Sequence, residues 1–190
     1  MKEWTIMVYM AGDNNLSIDM AYALQDIREV ARNAGENINL LVYYDSSLQD
    51  VPTSYYDFSD YNNPFRITSR KVRDKFQPRN NRNRRGDNAG DNENSARAYS
   101  VINFIDWCVN KVKYKVGDEE FSGRKAKNYA FIFSGHSFGF QDIGLFKDES
   151  SGYYMTLDKL GWAFERIAAK PEEINDGRPV ILGKKLGILG

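Results

Sequence analysis

The single histidine of the chain, His136, stands directly after an apolar run in the segment Gly135-His136-Ser137-Phe138-Gly139. An imidazole is the side chain best suited to exchange protons near neutral pH, which makes this residue a candidate acid or base catalyst. Its position after a predicted strand and between glycines favours that role over the role of a hydrogen-bonded structural histidine.

The same segment matches G-x-S-x-G, the nucleophile elbow of serine hydrolases, with Ser137 as the nucleophile. An elbow leads at once into a helix, but residues 140–144 show no helical period. A serine hydrolase also needs a histidine base, and no histidine follows His136 in the sequence. A serine hydrolase using Ser137 therefore stays as an alternative that needs its base from outside these residues.

Cys108, the only cysteine, lies on the apolar stripe of a predicted helix, which also holds Val101, Phe104, Ile105 and Val112. A buried thiol is normally inert because burial disfavours the thiolate, so Cys108 is predicted to be a core residue. A cysteine nucleophile for His136 would then have to come after Gly190.

Three apolar runs, at residues 4–10, 38–44 and 129–133, predict strands that are buried on both faces, as in a parallel sheet. Apolar residues at helical spacing between Leu16 and Ala34 complete a strand-helix-strand unit with the first two runs. With 190 residues, 42% hydrophobic and 27% charged, the chain is predicted to be part of one globular α/β domain. Because ligands bind at the carboxyl ends of such strands, Asp13-Asn14-Asn15, Asp45-Ser46-Ser47 and His136 are expected at one rim.

The remaining segments give weaker signals. Residues 52–76 are compatible with short strands at a sheet edge, and residues 77–95 predict an exposed polar loop. Short extended pieces at 145–146 and 153–155 flank a predicted turn, and a helix is expected after Thr156 with Leu157, Leu160, Phe164 and Ile167 on its apolar face. Another apolar strand begins at 186–190, which suggests that residues 1–190 are a truncated part of the domain.

Charge and hydropathy argue against nucleic-acid and membrane partners. Lys+Arg and Asp+Glu balance at 26 each, and no apolar run approaches the roughly 20 residues that span a bilayer. Residues 66–85 hold nine Lys or Arg against one acid, but acidic residues follow and only Phe76 could stack on a base, so a solvated loop is favoured. The first residues show no signal peptide, which predicts a cytoplasmic protein as the sequence stands, or a secreted one if a leader was removed.

Several segments resemble clostripain-like cysteine peptidases, which are relatives of caspases, legumains and gingipains. Trp4 to Leu16 (WTIMVYMAGDNNL) looks like the opening motif of that family, and Ser134 to Gly139 is similar to its histidine motif. Phe104 to Trp107 resembles the helix before the histidine strand, and residues 186–190 resemble the strand that leads to an Asp-x-Cys nucleophile. The resemblance implies a caspase-like three-layer α/β/α sandwich with a mostly parallel central sheet, and a cysteine endopeptidase that cleaves after Arg or Lys.

The resemblance also implies roles for individual residues. His136 would transfer protons between the thiol and the leaving amine, and Asn14 would hydrogen-bond and orient the imidazole. The backbone N–H of Ser137 would stand in the oxyanion hole, although family members usually have glycine there. Lys147, in a turn-like polar stretch, is a candidate site for self-processing into light and heavy chains.

The implied partners are a peptide or protein substrate and a C-terminal heavy chain. The chemistry needs no cofactor, and calcium is implied by the family alone. Asp13, Asp45 and Asp148 are too widely separated in the sequence to predict a metal site by spacing. Without the nucleophile, the 190 residues alone are expected to be inactive; a non-catalytic remnant that binds a partner is the other alternative.

Overall fold

The computed structural model describes residues 1–34, 36–69, 92–109, 114–116, 119–121, 123–136, 144–168 and 187–188. Within them lie the helices α1 (Ser17–Ala31), α2 (Ala98–Val109) and α3 (Leu157–Ala168). The strands there are β1 (Lys2–Gly12), β2 (Ile38–Ser46), β3 (Ser54–Asp57), β4 (Phe65–Thr68), β5 (Tyr114–Val116), β6 (Glu119–Phe121), β7 (Ala126–Ser134), β8 (Phe146–Asp148), β9 (Tyr153–Met155) and β10 (Gly187–Ile188).

The three apolar runs form the neighbouring strands β7, β1 and β2 at the centre of a six-stranded sheet with the order β10-β7-β1-β2-β3-β4. The first four strands in that order are parallel, and β3 and β4 are antiparallel at the edge, which confirms short edge strands between residues 52 and 76. The pairs β5–β6 and β8–β9 form separate two-stranded ribbons.

Alternate residues of β1 enter two different cores. Met7 and Tyr9 face one side, where they pack in a cluster with residues of α2 and α3. Val8 and Met10 face the other side, where they pack with Met20 of α1. A parallel sheet covered on both faces needs apolar residues at every position, which is why the run is continuous rather than alternating. The predicted α/β/α sandwich with a mostly parallel sheet is confirmed.

The helices also follow their sequence patterns, with one exception. Val101, Phe104, Ile105 and Cys108 are all fully buried, as their helical spacing predicts. In α3 the apolar face begins later than predicted, because Leu157 at the first helical position remains 61% exposed. No helix in the described ranges has the length and apolar character needed to cross a membrane.

The predicted exposed loop at 77–95 is wrong at its C-terminal end; residues 77–91 lie outside the described residues. Glu93, Asn94 and Ser95 are polar but buried. Their backbone groups have partners within the protein, such as the Ser95 carbonyl, which accepts a hydrogen bond from the Tyr9 hydroxyl at 2.8 Å. Burial of polar residues is tolerated when such partners exist, and composition alone does not reveal them.

Candidate active site

The carboxyl ends of β1, β2 and β7 lie side by side at one edge of the sheet. Gly12 pairs with Ser46 of β2, and Met10 pairs with Ser134 of β7. The strands approach so closely that a Cβ atom added to Gly12 would stand 2.6 Å from the Asp45 carbonyl oxygen, so this position requires glycine. The loops after these three strands therefore meet at one rim, as parallel strands require.

His136 follows β7 by two residues and is half-buried on this rim. Its Nε2 atom forms a hydrogen bond with the Oδ1 atom of Asn15, in the loop after β1. Because an amide oxygen only accepts, this bond places the proton of the neutral imidazole on Nε2. The deprotonated nitrogen is then Nδ1, the atom that can take a proton from a thiol or a hydroxyl group.

Asn14, the residue expected to orient the imidazole, has different contacts. Its Nδ2 atom donates to the Ala11 carbonyl at 2.9 Å, and its Oδ1 atom accepts from the Leu16 backbone N–H at 2.9 Å. Asn14 is buried and holds the turn between β1 and α1, whereas the exposed Asn15 reaches His136. The contact expected for Asn14 is thus made by its neighbour, because the amide of Asn14 is turned back onto the backbone of its own turn.

Ser137 lies outside the described residues. Its backbone role in an oxyanion hole and its role as the nucleophile of an elbow both stay predictions.

Cys108 is described, and its place in the core is confirmed by complete burial. Burial raises the pKa of its thiol well above the usual value, and the charges of Asp57 and Asp106 add to that effect. A thiol in this environment stays protonated and is a poor nucleophile.

Lys147 lies in strand β8 and not in the turn that the sequence suggested. It pairs with Tyr154 of β9, and its Nζ atom stands 5.7 Å from the centre of the Tyr154 ring. The turn begins at Glu149, one residue after Asp148, whose side chain is 1% exposed. The polar composition of this stretch is that of a turn, but antiparallel pairing with β9 extends the strand through Asp148.

The structure brings together three carboxylates that the sequence analysis left apart. Asp13, Asp45 and Asp148 each contribute an oxygen to a group whose members all lie within 4.8 Å of one another. Asp13 follows β1, while Asp45 and Asp148 stand near the ends of β2 and β8, and all three side chains are buried. The sequence feature that could have predicted this cluster is the position of all three aspartates at strand ends. Their spacing along the chain could not predict it, because the three come from distant segments.

Burial and mutual repulsion act on these carboxyls. Burial raises the pKa of Asp45 well above its usual value, and the neighbouring Asp148 raises it further. Burial also raises the pKa of Asp13, and the Asp148 charge acts in the same direction, although the hydrogen bond from Ser150 opposes it. The candidate site thus includes the imidazole of His136 on the rim and three closely spaced, buried carboxyl groups at strand ends.

No protein-family model matches the chain, and no curated protein matches it at a significant level. Among solved structures, it is similar to a secreted C11 cysteine protease from Bacteroides thetaiotaomicron in complex with an irreversible peptide inhibitor, with a TM-score of 0.55 and 19% identity. That match covers 87% of this chain and 39% of the other.

An inactive zymogen C11 protease from Parabacteroides distasonis is similar with a TM-score of 0.52 and 22% identity, covering 87% of this chain and 40% of the other. A B. fragilis cysteine protease aligns with a TM-score of only 0.45 at 18% identity, over 74% of this chain and 93% of the other. This chain therefore spans about two fifths of the length of the two C11 proteases. These likenesses show that the chain has the caspase-like α/β fold of C11, or clostripain-like, cysteine proteases.

Proposed function

We propose that the chain is the histidine-bearing part of a clostripain-like cysteine endopeptidase that cleaves after Arg or Lys. The observation that carries the proposal is the placement of His136 at the carboxyl-end rim of a caspase-like sheet, with its Nε2 atom bonded to Asn15. Strand ends on a rigid sheet can hold an imidazole in a fixed orientation, which proton transfer requires.

In the proposed reaction, Nδ1 of His136 takes the proton of a cysteine thiol, and the thiolate attacks the scissile carbonyl carbon. The imidazolium then gives this proton to the leaving amine as the C–N bond breaks, and water hydrolyses the thioester. The backbone N–H of Ser137 is the proposed donor to the oxyanion. The thiol comes from outside these 190 residues, since Cys108 is buried in the core.

Covalent labelling tests this function. We expect the full-length protein to cleave reporters with Arg or Lys before the scissile bond, but not a matched reporter with Asp there. A peptidyl-arginine chloromethyl ketone should abolish this cleavage and, by peptide mapping, modify one cysteine outside the present sequence while Cys108 stays unmodified.

Three outcomes of the labelling would contradict the proposal. Modification of Ser137 by a fluorophosphonate would support the serine hydrolase. Modification of Cys108 with loss of activity would place the nucleophile in α2. Neither cleavage nor labelling of a correctly folded protein would support a binding remnant.

Lys147 is the proposed self-processing residue, and the heavy chain is the product on its C-terminal side. Its place in β8 adds a condition: the bond after Lys147 must leave the β8–β9 ribbon before it can occupy an active site as substrate. We expect intact-mass measurement of the active protein to show two fragments divided after Lys147. A Lys147→Ala variant should stay in one piece there, whereas Lys127→Ala, at an exposed lysine that pairs with Glu3, should be processed normally. An undivided wild-type protein with full activity would remove Lys147 from this role.

A further inference from the structure

We propose that a cavity between helix α1 and the β3–β4 edge of the sheet binds a small aromatic carboxylate. The cavity has a volume of about 430 Å³, which lies in the usual range of small-molecule sites. Its α1 residues run from Ala21 to Arg28, and Arg28 stands about 17 Å along the helix axis from Ser17, where α1 leaves the rim. The cavity shares no residue with the contact between His136 and Asn15, so the inference does not rest on the proposed peptidase function.

The cavity forms where a small residue of α1 stands next to large residues of the sheet edge. Ala21 and Leu24 of α1 line it together with Tyr56 of β3 and Phe58, which follows β3. Leu24, Tyr56 and Phe58 pack in the core cluster on the α1 side of the sheet, which holds their side chains in place. Because Ala21 carries only a methyl group, the room that a larger side chain would fill stays open. The apolar part of the cavity is therefore formed before a ligand enters.

The aromatic residues offer a planar ligand a surface for stacking. The ring centres of Tyr56 and Phe58 are 5.6 Å apart, and the two ring planes differ by only 24°. Phe58 is 5% exposed, and Pro64 and Phe65 extend the apolar lining. Aromatic rings pack against one another in offset or edge-to-face arrangements at such separations, and an aromatic ligand gains from the same contacts. The lining therefore favours a ring over a flexible aliphatic chain.

Two arginines, Arg28 of α1 and Arg66 of β4, give the lining a positive charge, and no acidic residue lines the cavity. The Arg66 Nε and Nη2 atoms donate to Ser54 Oγ at 3.2 and 3.1 Å, and the guanidinium carbon lies 5.7 Å from the centre of the Tyr56 ring. These contacts hold the head of Arg66 beside the aromatic pair. Within the part of the chain that the structure describes, neither arginine forms an ion pair with an acidic side chain. Their charge is therefore available to an anion from outside.

A carboxylate is the anion that this lining fits best. The planar guanidinium group can donate two parallel N–H bonds to a carboxylate, and Arg66 keeps N–H groups that Ser54 does not use. Phosphate sites commonly use the backbone N–H groups at the N-terminus of a helix, where the dipole is positive. In contrast, α1 contributes its middle and its last turn, which holds Arg28, so a dianion is less favourable here than a monoanion.

The size of the cavity favours a free small molecule over a peptide. Its volume of about 430 Å³ lies toward the lower end of the range of about 300–1,000 Å³ that is usual for small-molecule sites. A peptide is bound along a sheet edge or in an extended groove, and only its terminal residue would fit here. We therefore assign the cavity to a free aromatic acid, with its ring against Tyr56 and Phe58 and its carboxylate against Arg28 and Arg66.

The test compares two probes of the same shape on the purified full-length protein, 1-naphthaleneacetate and the neutral 1-naphthaleneacetamide. Binding is followed by ligand-observed NMR and by isothermal titration. At the affinity per atom that is usual for small ligands, about 14 non-hydrogen atoms give a dissociation constant of about 1 mM. We expect the acid to bind at about this level or more tightly, and the amide to bind at least about tenfold more weakly because it lacks the charge-assisted hydrogen bonds.

Three variants locate the ligand. Arg28→Gln and Arg66→Gln should each weaken binding of the acid about tenfold and leave the affinity for the amide unchanged. Because Arg28 is exposed, its variant should fold even if Arg66→Gln does not. Ala21→Phe fills the cavity without changing its charge and should weaken binding of both probes. Lys125→Gln is the control, since Lys125 is an exposed cation outside the cavity, and it should bind the acid as the wild type does.

Four outcomes would overturn the proposal. The first is no saturable binding of the acid by the wild-type protein at concentrations up to about ten times the expected dissociation constant. The second is equal affinity for the acid and the amide, which would leave the arginines without a role. The third is an equal loss in Lys125→Gln and Arg28→Gln, which would indicate attraction to any positive surface. The fourth is a peptide with a C-terminal tryptophan that binds more than tenfold tighter than the free acid, which would assign the cavity to a protein terminus.

Discussion

Replacing His136 with alanine is expected to lower kcat on an Arg or Lys reporter by roughly 10³-fold, because general acid–base transfer contributes about 10²–10⁴ to such reactions. Without the imidazole, the reaction loses the group that is proposed to take the thiol proton and return it to the leaving amine. His136 is only half-buried, so the fold should survive the change. The measurement is steady-state kinetics on the full-length protein, together with circular dichroism to verify folding.

Two further measurements separate this chemistry from a structural role. Imidazole added to the His136→Ala protein should restore part of kcat, because a small base can enter the space left by the side chain. Asn128→Ala is the matched control: Asn128 is an exposed residue near the start of β7, the strand that His136 follows, and this variant should keep wild-type kinetics. If the alanine variant retains activity, or loses it only because it unfolds, His136 has a structural role and not a catalytic one.

The sheet could be predicted from the sequence because its central strands are buried on both faces. Residues 4–10 and 38–44 are continuous apolar runs, and this pattern is typical of strands covered by helices on both sides. The same logic located His136 at a strand end. These signals are local: each depends on a few consecutive residues whose environment is set by one element of the fold.

The features that sequence reasoning missed depend on contacts between distant segments. Ser95 is buried because its backbone N–H meets Asp148 and its carbonyl meets Tyr9, and neither partner is near it in the sequence. The aspartate cluster has the same origin, since Asp13, Asp45 and Asp148 meet only after β1, β2 and β8 are assembled. A polar composition predicts exposure on average, but it does not reveal which polar groups become partners.

Asn14 and Asn15 show which part of the rim could be predicted from the sequence and which could not. An amide partner for the imidazole was expected at the end of β1, and the structure has one there. The choice between Asn14 and Asn15 depended on the turn, where the amide of Asn14 bonds to the backbone of Ala11 and Leu16. Asparagine commonly forms such local bonds, which compete with any longer-range partner.

Asn15→Ala is therefore expected to lower kcat by about 10- to 100-fold with little loss of stability. A hydrogen bond to a group that becomes charged contributes about 1.5–3 kcal/mol, and each 1.36 kcal/mol of barrier changes a rate about tenfold. Loss of the Asn15 acceptor removes a contact that orients the imidazole and a partner of the imidazolium. Because Asn15 is exposed, the free energy of unfolding should change by less than about 0.5 kcal/mol.

Asn14→Ala should have the opposite effects: a loss of stability with little change in kcat. This contrast distinguishes the roles of the two asparagines. Loss of the two hydrogen bonds that the buried Asn14 side chain makes should lower the free energy of unfolding by about 1–3 kcal/mol, while kcat of the folded protein stays near the wild-type value. Asn15→Asp restores an oxygen acceptor at the same position, so we expect this variant to keep more activity than Asn15→Ala. If Asn14→Ala lowers kcat and Asn15→Ala does not, the orienting residue is Asn14, and the hydrogen bond between Asn15 and His136 has no part in the chemistry.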